Sequence, residues 1–204
     1  MVKTDLILVT IIVISTGLSI VWVSDILSDK NWEQNSHLLT WDDFRGIPDF
    51  TAVRYGAVIK ADLKHQTSYE TKTTQGSCHY SFTKVKGIAY MSKMESWVKP
   101  DQKYFWILQH QQIHFDIAEI FAKKFNKRVE NELLNRVFLC PGGSDSWSGS
   151  NVKTAVDAKV TVILNQMRNE MSWMGIAYDE ETNHGMNNEQ QKSWENMVRN
   201  MLNN

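Results

Sequence analysis

LQHQQIHFD, residues 108–116, lies inside the stretch whose apolar side chains recur most clearly with the period of an α-helix. Pro100 and Asp101 precede it and are residue types that favour a helix N-terminus. The pattern predicts a helix from Pro100 to about Leu134 with one broad apolar face. The residues that form or widen this face are Ile107, Ile117, Phe121, Trp106, Ile113, Ile120 and Ala122.

Strand-like alternation comes before this helix and helical patterns come after it. Between residues 52 and 85 apolar and polar side chains alternate, which predicts two or three antiparallel strands. The threonine-rich run 67–75 within it fits either a long hairpin loop or an edge strand. Two more helices are predicted, over 152–174, where Gly175 would end it, and over 187–202. Strands followed by helices indicate an α+β fold.

The N-terminal residues differ from the rest of the chain. Residues 6–23 (LILVTIIVISTGLSIVWV) carry no charge, and as a helix they would be about as long as a bilayer's hydrocarbon core is thick. We expect a signal peptide or signal-anchor helix at 1–24, a polar spacer at 25–37 and one folded domain at 38–204. No clear small-residue cleavage site follows, which favours the anchor. Either form predicts an extracytoplasmic domain, periplasmic or secreted, attached to the membrane through residues 6–23 if these stay uncleaved.

The charge balance and the cysteine spacing indicate which partners are excluded and how the cysteines pair. The chain has 22 Lys and Arg against 23 Asp and Glu, so its net charge is −1. A surface that tracks phosphates needs a cationic excess, so we expect no nucleic-acid partner. Cys78 and Cys140 are far apart and form no C-x-x-C motif. In an exported chain a single disulfide is the expected pairing, and two separately buried thiols are the alternative.

His110 and His114 are the candidate chemical centre. They are four residues apart, so on a helix their side chains point in directions only about 40° apart. Two imidazoles placed in this way can bind one zinc ion. The alternative is a pair of histidines packed on an amphipathic helix with no metal.

A catalytic zinc ion needs a third protein ligand, and the helix itself supplies none on the same face. Asp116 and Glu119 point away from the histidine pair, so we expect the ligand to come from a distant segment. His184 is the first choice because residues 178–185 concentrate polar groups in a predicted loop, where Gly185 permits a tight bend. The other candidates are His79, His65, His37, Asp179, Glu180 and Glu181.

Three motifs resemble a bacterial family. They are WDDF at 41–44 with Gly46 and Pro48, the His110/His114 segment with Phe115 and Asp116, and Tyr178-Asp179-x-x-Thr182-x-His184-Gly185 with Gln191 and Trp194. Over residues 39–202 the chain resembles domain of unknown function number nine hundred and twenty-two, described as predicted secreted zinc-dependent proteases of the H-E-x-x-H type. The resemblance implies a zincin-like fold, peptide or protein substrates, and Zn2+ bound by His110 and His114, with His184 fitting as the third ligand.

Gln111 departs from that family's motif, in which Glu follows the first histidine. The Glu takes a proton from the attacking water and passes it to the leaving amine. An amide can hydrogen-bond to that water but cannot accept its proton at useful basicity. Glu180 and Glu181 are the candidate replacements, and Tyr178 is a candidate hydroxyl donor to an oxyanion, with a purely structural phenol as the alternative.

These residues support two related functions and one unrelated one. The first is an exported or membrane-anchored zinc metallopeptidase-like domain in which Gln111 weakens or abolishes hydrolysis. The alternative is a zinc-binding pseudoenzyme that binds peptides or proteins of the cell envelope. The third is an exported interaction domain without metal.

Overall fold

The computed structural model describes residues 18–19, 38–74, 76–142 and 148–203. Within these ranges the fold is α+β, as expected, with a small antiparallel sheet and three helices. The strands are β1 (Leu18–Ser19), β2 (Ala57–Val58), β3 (Ala61–Thr74), β4 (Ser77–Met91), β5 (Trp97–Val98) and β6 (Val137–Leu139). The helices are α1 (Phe105–Glu132), α2 (Gly149–Thr182) and α3 (Asn188–Asn203).

A long hairpin of β3 and β4 forms the centre of the main sheet, whose order is β1-β3-β4-β6. The hairpin pairs from Ala61 opposite Met91 to Thr74 opposite Ser77, with a register shift at Ser68/Tyr69. The threonine-rich run is therefore strand as far as Thr74, because its residues continue the antiparallel ladder with β4. A separate ladder pairs β2 with β5.

Helix α1 lies across the sheet and forms the centre of the core. Phe125 and Val129 are fully buried on its sheet-facing side. Gly87 on β4 permits the close approach, since a Cβ there would lie 2.3 Å from Phe125 Cδ1. Valines of α2, including Val152 and Val156, complete the same cluster. Each such side chain contributes about 1.5–3 kcal/mol on burial, so this packing fixes how α1 and α2 meet.

A disulfide joins Cys78 on β4 to Cys140, directly after β6. Both cysteines are buried, and the bond closes a loop of 62 residues in sequence that contains all of α1. The expected pairing is confirmed. It ties the edge strand β6 to the sheet on which α1 packs.

The predicted signal or anchor helix and the spacer lie outside the described residues, apart from Leu18–Ser19. Those two residues form β1 and pair with Lys72 and Thr71 of β3. No helix in the described ranges combines the length and apolar character needed to span a bilayer.

Two predicted helix boundaries are wrong. Residues 100–102 form a 3-10 turn, and α1 begins only at Phe105. Helix α2 continues past Gly175 to Thr182, so residues 178–182 are helical. An interior glycine costs a helix about 1 kcal/mol. Burial of the aromatic Tyr178 one turn later is worth more than that, and Tyr178 is fully buried.

Candidate metal centre

Two helices bring three donor groups to one point. His110 and His114 lie one turn apart on α1, and both Nε2 atoms lie 3.0 Å from Oδ1 of Asp179 on α2. One ligand atom from each residue lies within 4.8 Å of the other two. Two imidazole nitrogens and a carboxylate oxygen form a donor set that zinc sites use.

Asp179, one of the acids considered from the sequence, thus contacts both histidines. His184 lies beside this group, with its Nδ1 3.6 Å from Asp179 Oδ1, and is not one of the three mutually close donors. The extended helix α2 explains the difference. It presents Asp179 from a rigid turn, whereas His184 follows the helix end.

Gln191 on α3 sets the orientation of the His110 ring. Its Oε1 accepts a hydrogen bond from the Tyr178 hydroxyl at 2.7 Å and lies 3.3 Å from His110 Nδ1. Because Oε1 is an acceptor, Nδ1 must donate to it. Nε2 of His110 then directs its lone pair at Asp179 Oδ1, and two such acceptors repel unless a cation lies between them. A proton or a metal ion meets that requirement, so these residues fit a divalent metal.

The charge state of Asp179 suits a metal ligand. Burial of the carboxyl alone raises its pKa, but the contacts of Asp179 with His110 and His114 outweigh this effect and hold the pKa well below its ordinary value. Asp179 is therefore ionised at neutral pH and supplies the negative charge of the donor set.

Tyr178 packs against the metal centre. Its ring stacks on His110, with centroids 4.6 Å apart and planes 21° apart. Burial raises the pKa of the phenol far above its ordinary value, so it stays a neutral donor. The structure places its hydroxyl against Gln191 instead of in the cleft, where an oxyanion would lie.

A strained turn closes the centre after α2. Asn183, His184 and Gly185 all have positive φ, at 48°, 54° and 84°. Gly185 packs against His110, where a Cβ would lie 3.0 Å from Cγ. Nδ1 of His184 is buried and has no hydrogen-bond partner among the residues that the structure describes. Left-handed backbone at non-glycine residues costs on the order of 1–3 kcal/mol each and is typical of functional sites.

A cleft of about 640 Å³ leads to this centre. His110, Gln111 and His184 line it where it meets the donor group. Asp101 is the one acidic residue among the described residues that line it. His114 lines a second cavity, of about 350 Å³.

The other candidate residues lie elsewhere. Glu181 accepts a hydrogen bond from the Trp194 indole at 2.8 Å and does not line the cleft. Glu180 is exposed on the outer face of α2. His65 and His79 lie on β3 and β4, and His37 is outside the described residues.

Comparison with known proteins adds no relative. No protein-family model, curated protein or solved structure matches this chain. Function must therefore be inferred from the geometry of the site.

Proposed function

We propose that His110, His114 and Asp179 bind a zinc ion and that the chain is a zincin-like, metallopeptidase-related domain that takes peptides into its cleft. One observation supports this above all. Both imidazole Nε2 atoms lie 3.0 Å from the same carboxylate oxygen. Three protein ligands leave positions open for substrate, as in catalytic zinc sites.

The residues around the centre have separate roles in this proposal. A bound zinc ion would polarise a peptide carbonyl or the attacking water. Gln191 and Tyr178 hold the His110 ring in the tautomer that presents Nε2. Gln111, buried and lining the cleft, can hydrogen-bond to a bound peptide but cannot remove a proton.

Gln111 favours a second candidate, which is zinc-dependent peptide binding without hydrolysis. In the H-E-x-x-H motif the residue at this position is the general base, and removing a general base costs about 10²–10⁴-fold in rate. Asp101 is the one carboxylate among the described residues that line the cleft, so it is the candidate replacement to test. The same site then serves as a peptide-binding module of a pseudoenzyme.

Export from the cytoplasm is part of the proposal. The Cys78–Cys140 disulfide suits an oxidising compartment. The uncharged residues 6–23 suit a signal or anchor and would attach the domain to a membrane if uncleaved.

Metal analysis tests the proposal first. We expect one zinc ion per chain in the purified protein, removable by a chelator, and no stoichiometric zinc in His110→Ala. His65→Ala, which changes a histidine of the sheet, is the matched control and should keep its zinc. A metal-free wild-type protein that takes up no added zinc would refute the proposal.

Peptidase assays then separate the two candidates. Wild type, Gln111→Glu and Asp101→Asn are compared on an unstructured protein such as casein, each loaded with zinc. Activity gained only in Gln111→Glu indicates the binding module. Activity already present in wild type and lost in Asp101→Asn indicates a peptidase with Asp101 as its base.

A further inference from the structure

We propose that the 640 Å³ cleft selects a peptide residue with a large apolar or aromatic side chain, bound between Tyr55 and Trp106 beside the metal. This inference rests on the proposed zinc site and specifies its substrate class. It predicts which residue lies next to the metal-bound carbonyl of a ligand.

The cleft is continuous with the metal centre. His110 and Gln111 form its inner end, so a group bound at the donor set projects its neighbouring side chain into it. The Tyr55 ring packs edge-on against His184 with centroids 5.1 Å apart, and His184 in turn lies beside Asp179. The aromatic wall therefore starts at the centre itself.

The walls expose apolar surface in a concave place. Tyr55 and Trp106 each leave 40% of their surface exposed, and Met186 leaves 71%. These residues come from three separate segments, and all three line the cleft. Concave, exposed aromatic and methionine side chains next to convergent polar groups are typical of a ligand site.

The floor of the cleft is preformed. Gly56 packs so closely on α1 that a Cβ there would lie 2.9 Å from Ile107 Cδ1. The Lys99 backbone N–H bonds to Gly56 O, and its ammonium bonds to Ala52 O, both at 2.8 Å. These bonds hold the segment that carries Tyr55 in place without ligand, which reduces the entropic cost of binding.

The charges of the cleft disfavour a basic side chain. Arg54 and Lys99 line it against the single acid Asp101, and Arg54 has no ion-pair partner among the described residues. An incoming lysine or arginine would meet an excess of positive charge. These charges disfavour a basic side chain, and the exposed Tyr55, Trp106 and Met186 side chains make a large apolar one the proposed occupant.

Hydroxamates test the inference because the hydroxamate group binds zinc and its side chain can be varied. Titration calorimetry on the zinc-loaded protein compares N-acetyl-phenylalanine, N-acetyl-alanine and N-acetyl-lysine hydroxamates, with acetohydroxamate as the metal-only probe. We expect the phenylalanine probe to bind on the order of ten-fold more tightly than the alanine probe, because its ring is buried. The lysine probe should bind most weakly of the three.

Substitutions test whether Trp106 causes the preference for the phenylalanine probe. Trp106→Ala should reduce the phenylalanine-over-alanine ratio to about two-fold, and Trp106→Phe should restore most of it. Trp173→Ala, on the exposed outer face of α2 and 72% exposed, is the matched control and should keep the full ratio. Zinc content is measured for each variant to verify that the site is intact.

The outcomes distinguish the two levels of the proposal. Equal affinities for the three amino-acid probes, or a preference that Trp106→Ala leaves unchanged, would overturn the inference about the cleft. If acetohydroxamate still binds in that case, the proposed zinc site stands. Failure of acetohydroxamate itself to bind the zinc-loaded protein would overturn the proposed function.

Discussion

Helix α2 carries two polar clusters that differ in how completely their groups are paired. At Arg168, Nε donates to Asp62 Oδ1 at 2.8 Å, while Nη2 donates to Asp62 Oδ2 at 3.0 Å and to Leu63 O at 2.7 Å. This fork joins α2 to β3 through three hydrogen bonds. It is a structural tie.

At Asp179, further along the same helix, pairing is incomplete. Both histidines converge on one carboxylate oxygen, and two buried atoms nearby, His184 Nδ1 and Gln191 Nε2, have no hydrogen-bond partner in the part of the chain that the structure describes. An unpaired buried polar atom costs about 1–3 kcal/mol. We therefore expect the cluster to lower the stability of the metal-free protein, as at a site arranged for a ligand.

The largest expected effect is a loss of zinc affinity without a loss of stability, which would distinguish the Asp179 cluster from the Arg168 cluster. His114→Ala should lower zinc affinity by at least about a hundred-fold, since one of three ligands is lost. The metal-free variant should melt no lower than metal-free wild type. Zinc titration and thermal melting measure the two effects. A strongly destabilised metal-free variant would mean that the centre is structural, like Arg168.

The partner of His110 gives the next effect. Gln191→Leu removes the acceptor for Nδ1–H and should lower zinc affinity about ten- to a hundred-fold. Gln191→Glu keeps an acceptor there and should retain most of the affinity. If the leucine variant binds zinc as tightly as wild type, the His110 ring does not depend on Gln191 for its orientation.

Substitution in the Arg168–Asp62 cluster should have the opposite effects, on stability instead of on zinc binding. Arg168→Met removes the three hydrogen bonds that Arg168 donates to Asp62 and Leu63 O and should lower the free energy of unfolding by only about 1–2 kcal/mol, because the pair is partly exposed. Zinc affinity should stay within two-fold of wild type. Denaturant unfolding in the presence of chelator measures the first value, and a loss of zinc binding would show that the clusters are coupled.

The smallest expected effect concerns a third polar cluster, in which the buried Asp43 carboxylate contacts Thr40 and Lys93. Burial alone raises its pKa, but hydrogen bonds from Thr40 and Lys93 outweigh this and lower the pKa from its ordinary value of 3.8. Its contribution to stability is thus complete above that ordinary value and is lost as pH falls through the lower folded pKa. Asp43→Asn should make the melting temperature less sensitive to acid. An unchanged acid profile would show that Asp43 adds nothing.

Much of the fold followed from local patterns. The alternation before residue 85 and the helical periodicity around residue 110 predicted the α+β order that the structure has. The spacing of His110 and His114 predicted a shared face, and their rings lie 4.9 Å apart between centroids. Such features depend on neighbours within a few residues, so sequence shows them.

Asp179 was harder to choose because the predicted end of α2 was wrong. With a helix ending at Gly175, Asp179 lies in a loop and ranks behind His184. The true end was signalled by Asn183 and Gly185, residue types that tolerate the left-handed backbone found there. No local pattern indicated that burial of Tyr178 would carry the helix through the glycine.

The paired histidines and the candidate zinc chemistry were thus readable from residue order, because one turn of helix brings such side chains together in any fold. The convergence with Asp179, the orientation imposed by Gln191 and the shape of the cleft were not readable. They depend on how closely α1, α2 and α3 pack, and that is set by contacts among apolar residues far apart in the chain.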